Sequence, residues 1–104
     1  MEPIQERPVD YSAIDEMLNR WAANHRFTIQ KKYKEIEVRS ITFQGRDSVF
    51  YQLWIDPPDG NGFVGIHVWD YKRRRKDFVA ESDEFPKKLE LAFRTIQEAF
   101  EHSR

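Results

Sequence analysis

The chain contains no cysteine. Disulfides, thiolate metal sites and a thiol nucleophile are therefore excluded, and the core must come from packing alone. No apolar run approaches the roughly 20 residues of a membrane span, and the opening Met1-Glu2-Pro3-Ile4-Gln5-Glu6-Arg7 lacks the apolar centre of a secretory signal. A soluble, cytoplasmic protein is the expectation. Charge of one sign is also missing: 17 Lys and Arg balance 18 Asp and Glu, so any pull toward nucleic acid or acidic membrane must come from local clustering. The catalytic signatures are absent too. His25, His67 and His102 share no metal-ligand spacing, and none of the serines sits in a nucleophile elbow. The run Pro57-Pro58-Asp59-Gly60-Asn61-Gly62 has neither a following helix nor the lysine spacing of a phosphate loop, and reads as a hairpin turn. No enzyme activity, cofactor or metal is expected.

At 104 residues the chain fits one domain, which at this size buries about 60 to 70% of the surface exposed by the unfolded chain. The pattern is organised around residues 49–71, two antiparallel strands on either side of that turn. Alternation places Val64, Ile66 and Val68 on one side of the second strand and Phe63, His67, Trp69 and Tyr71 on the other. In the first strand Val49, Tyr51, Leu53 and Ile55 separate from Phe50, Gln52 and Trp54. One face is aliphatic and the other aromatic.

On either side of the hairpin the elements are simpler. Residues 1–9 hold Pro3 and Pro8 without periodicity and read as a tail, leaving residues 10–104 as the domain. Asp10 suits a helix cap. Tyr11, Ile14, Leu18, Trp21 and Ala22 then recur at helical spacing, with Asn24 as the expected end. Phe27-Thr28-Ile29-Gln30 is a short edge strand or a crossover. Residues 35–44 form a better strand, in which Ile36 and Val38 fall out of phase with Ile41 and Phe43; a β-bulge near Arg39 and Ser40 would return both pairs to one side. After the hairpin, residues 77–81 can add a fourth strand. Ser82, Asp83 and Glu84 then open a C-terminal helix carrying Phe85, Leu89, Ala92, Phe93, Ile96, Ala99 and Phe100 on one stripe, with Pro86 in its first turn.

The expected fold is α+β: a two-layer sandwich with an N-terminal helix, an antiparallel meander of three to four strands and a C-terminal helix, both helices covering the aliphatic face. Helices divided between the two faces are the alternative. If both lie on one side, Phe50, Trp54, Phe63, His67 and Trp69 form an open surface, since apolar patches beyond a few hundred Å² mark interaction sites. These residues are the expected contacts for a protein partner or a second copy, with Arg39 as a polar rim. His67, set among rings, would make such association depend on pH near 6.5. The order of helix, meander and helix is similar to that of small bacterial immunity proteins and secretion chaperones, a resemblance that implies a protein partner.

A second reading uses the basic run Lys72-Arg73-Arg74-Arg75-Lys76, which follows Trp69 and Tyr71 directly. Cations beside stacking rings suit single-stranded nucleic acid. Open antiparallel sheets stack bases in RNA-recognition modules, although the glycine-aromatic core of those modules is absent here.

Overall fold

The computed structural model describes residues 10–44, 50–70 and 75–96. Helix α1 spans Ser12–His25, strands β1 to β5 span Gln30–Tyr33, Ile36–Gln44, Phe50–Ile55, Phe63–Asp70 and Arg75–Glu81, and helix α2 spans Phe85–Thr95 after a single 3-10 turn at Ser82–Glu84. The five strands form one antiparallel sheet in chain order. The α+β architecture with a helix at each end is as expected. The sheet has one strand more than the three to four predicted, because the short piece before residue 34 and the segment after residue 74 both pair.

Local chemistry sets the boundaries. Asp10 Oδ1 accepts the Ser12 amide at 2.9 Å and starts α1; hydrogen bonding from the Ser12 side chain first, and from its amide second, holds the Asp10 carboxyl below its usual range. The helix runs one residue past the predicted end and is closed by Arg26 at φ 60, so an arginine takes the left-handed position expected of Asn24. In the β3–β4 turn, Asp59 Oδ1 accepts the amides of Asn61 and Phe63 at 2.8 and 2.9 Å, and Gly62 takes φ 83. Here the carboxylate stands in for backbone partners, and the stretch is a hairpin turn.

Both helices lie on the same side of the sheet. Tyr11, Ile14, Leu18 and Trp21 of the α1 segment and Phe85, Leu89 and Ala92 of α2 close over Ile41, Leu53, Ile55, Val64, Ile66 and Val68, all buried in one cluster. The Tyr11 hydroxyl donates to the Ile55 carbonyl at 3.2 Å. At one end Trp21, His25, Phe27, Phe43 and Phe93 pack as a ring cluster, tied by Glu90, whose Oε1 meets Trp21 Nε1 and His25 Nε2 at 3.0 Å each.

The bulge falls near the predicted place but in a different ladder. Pairing of β2 with β3 is continuous from Arg39 to Gln44, whereas β1 pairs Gln30 with Ser40 and Lys32 with Glu37, leaving one extra residue on β2. The two predicted apolar pairs are therefore not reunited. Ile36 is exposed, Val38 is buried outside the main cluster, and Arg39 instead faces the helices.

Candidate functional site

Cross-strand register arranges the outer side of the sheet, the side away from the helices, in rows. One row reads Thr42, Gln52, Trp69 and Arg75; the next reads Gln30, Ser40, Trp54, His67 and Asp77; beyond it come Gly65 with Val79 and then Phe63 with Glu81. Trp54 and Trp69 lie on a diagonal between rows, with ring centroids 6.3 Å apart and planes 25° from parallel. Such offset packing is the geometry that aromatic quadrupoles favour. Beside them, Gln30, Tyr33, Gln52, Trp54 and Trp69 line a hollow of about 390 Å³. Ser40, flanked in register by Gln30 and Trp54, is buried, and its hydroxyl has no hydrogen-bond partner among the described residues.

His67 is held from both ends. Its Nε2 meets Asp56 Oδ2 at 2.7 Å and its Nδ1 meets Asp77 Oδ1 at 2.6 Å. Arg75 Nε also donates to Asp77 Oδ1 at 2.7 Å, and its guanidinium lies 6.0 Å from the centre of the Trp69 ring. A cation–π contact thus joins the rings to the charged row. Burial alone would pull the His67 imidazole down, but hydrogen bonds to Asp56 and Asp77 outweigh it, and its pKa is raised above the ordinary 6.5. Asp77 moves the other way, lowered by its bonds to His67 and Arg75.

Gly65 makes the clamp possible. A Cβ at that position would stand 2.5 Å from Asp56 Oδ2 and 3.2 Å from His67 Nε2, so the missing side chain is the space the carboxylate occupies. Both ring nitrogens of His67 are thus engaged by carboxylates, with Arg75 Nη2 also 3.2 Å from Nδ1. Its two carboxylate partners sit at opposite ends of the ring and cannot share one ion with it, and among the described residues no three metal-ligating side chains converge.

Three of the predicted sheet-face contacts lie close in register, and the other two stand apart from them. Trp54, Trp69 and His67 are neighbours, and all three are half-buried. Phe50 is exposed at the start of β3, and Phe63 lies two rows beyond His67. Arg39 is a correction. It is not a rim to this surface: it is 5% exposed and faces α1, with Nε and Nη2 donating to Asp15 at 2.7 and 3.0 Å and its guanidinium 4.4 Å from the Tyr11 ring centre. The continuous β2–β3 register dictates this, since Arg39 opposes the inward Ile55. Of the basic run, Lys72, Arg73 and Arg74 lie outside the described residues, as does the expected tail at residues 1–9. Arg75 and Lys76 begin β5 and, alternating along it, occupy opposite faces.

The clamp is what sequence reading missed. Asp56 ends a strand and Asp77 follows a run of cations, so neither stands out. Their register with His67 emerges only once β5 is recognised as a full partner of β4. Asp70, by contrast, is buried on the helix side, opposite Tyr51.

Among the described residues no helix is long and apolar enough to cross a membrane. Comparison with protein-family models, curated proteins and solved structures returned no match.

Proposed function

We propose that this is a non-enzymatic interaction domain whose outer sheet face receives a protein partner, with Trp54 and Trp69 as the anchors. The observation that carries the reading is the stacked tryptophan pair beside an open hollow rimmed by Tyr33 and two glutamine amides, on a face that no described element covers. Large rings with adjacent amide donors and acceptors are the composition of binding hot spots. The clamp around His67 supports the same reading. It fixes the strand rows beneath the rings, so little side-chain freedom remains to be lost on association.

Capture experiments with the parent chain and a Trp54→Ala, Trp69→Ala variant, run side by side, test it. A specific partner is retained by the parent alone, and titration of that purified partner shifts the parent's tryptophan emission. Loss of two hot-spot anchors weakens binding by at least about 30-fold. Equal binding by a variant that keeps its fold refutes the reading. Salt-sensitive fluorescence quenching by single-stranded oligonucleotides, in the absence of any protein partner, transfers the face to nucleic acid instead.

A further inference from the structure

The two edges of the sheet differ in a way that selects a partner for one of them. β1 is four residues long and carries Lys31 and Lys32, so antiparallel self-pairing centred on the strand brings lysine against lysine. This is a protected edge. β5 is seven residues long, with Phe78, Val79 and Ala80 at its centre and charges toward both ends, and no described strand lies beyond it.

The direction of its backbone groups follows from two hydrogen bonds. Ser82 N donates to Gly62 O, and Asp56 N donates to Gly65 O. Even-numbered residues of β5 therefore bond toward β4, which leaves the N–H and C=O groups of Arg75, Asp77, Val79 and Glu81 pointing away from the sheet. Among the described residues this row has no backbone partner, and such a row is a template for another strand.

We propose that the strand which completes it is β5 of a second copy of this chain, related by a two-fold axis at Phe78. In that register Arg75 opposes Glu81 of the second copy and Glu81 opposes its Arg75, so opposite charges meet at both ends. Asp77 opposes Val79, and Phe78 opposes itself as a close, non-hydrogen-bonded pair. Every outward backbone group from Arg75 to Glu81 gains a partner. The axis is perpendicular to the sheet, so both helical layers stay on one side. Alongside this edge a groove of about 390 Å³ runs between β5 and α2, with Val79 and Leu91, both exposed, in its walls. The second copy's strand and helix close that groove. The proposal is independent of the outer-face reading, because the tryptophans take no part in it.

The absence of cysteine makes a direct test available. In the paired strands, Cα atoms at position 78 are about 4.5 Å apart, inside the range a disulfide spans, whereas those at position 79 are roughly 9 Å apart, outside it. Phe78→Cys is expected to form a covalent dimer on oxidation, and Val79→Cys is not. The parent chain is expected to sediment at twice its 12.6 kDa mass. Val79→Pro removes an outward N–H without touching the β4 ladder and weakens self-association by at least about tenfold. Far-UV circular dichroism checks that this variant keeps its fold. A monomeric parent overturns the proposal. So does cross-linking at 79 in preference to 78, or a dimer that survives Val79→Pro with the fold intact but dissociates on Trp54→Ala and Trp69→Ala.

Discussion

Arg39→Met separates a structural from a recognition role for the residue that sequence reading placed at a rim. Methionine keeps the apolar stem and most of the volume while removing the charge. What remains is the Asp15 carboxylate, which loses both of its bonds to the guanidinium, together with a Glu37 contact at 2.9 Å and a donor to the Val38 carbonyl at 2.8 Å. Leaving one partner of a fully buried pair costs about 3 to 5 kcal/mol. The Asp15 side chain is 30% exposed, so water recovers part of that and the expected loss is about 2 to 3 kcal/mol. For a domain of this size the melting midpoint falls by roughly 10 to 20 °C. Urea denaturation of Arg39→Met, Asp15→Asn and the double variant gives the coupling energy, expected at about 1 to 3 kcal/mol. Arg20→Ala serves as the surface control. Its pair with Glu16 is exposed on both sides, and its loss costs less than about 0.5 kcal/mol. If Arg39→Met stays within about 0.5 kcal/mol of the parent, or if the two single losses simply add, the pair does not hold α1 to the sheet.

Three further outcomes follow from the clamp and the core. The pKa of His67 is raised on folding, so its contribution to stability is complete below its unfolded value of about 6.5 and is lost as pH rises through the folded value; urea midpoints of the parent decline across that window, and those of His67→Gln do not. Gly65→Ala drives the Asp56 carboxylate off the ring, lowers the His67 pKa toward its ordinary value in an NMR titration and costs about 1 to 2 kcal/mol; an unchanged titration would show that Asp56 is dispensable. Tyr11→Phe removes the buried bond to the Ile55 carbonyl and lowers stability by about 1 kcal/mol, read from thermal or urea unfolding.

The elements with regular spacing were legible in the sequence. Ile14, Leu18 and Trp21 in α1, Phe85, Leu89 and Ala92 in α2, and the alternation of β3 with β4 each carry the period of the structure they form. Placement of both helices over the aliphatic face followed from the contrast between the two sides of that hairpin. Less was legible where pairing overrides composition. β1 reads as basic surface and pairs through its backbone, and Arg75 and Lys76 look like a turn yet open a strand. Arg39 was misplaced because Ile36 and Val38 imply the wrong phase; the register with Ile55 outweighs them. The His67 clamp depends on three segments meeting, and no local period encodes that.

Strand order and chain order coincide here, and that has a bearing on how the protein is made. Each strand finds its neighbour immediately upstream, so the whole sheet can assemble from short-range closures as the polypeptide leaves the ribosome. The exception is the lid at the C-terminus: Glu90 must reach back to Trp21 across most of the length of the chain. Until α2 is synthesised, the oily side of a finished sheet stands only partly roofed, by α1 alone. The newborn chain is then most prone to aggregate between the emergence of β5 and that of α2, and truncations that delete α2 will burden the chaperone machinery more than shorter fragments that lack the sheet altogether.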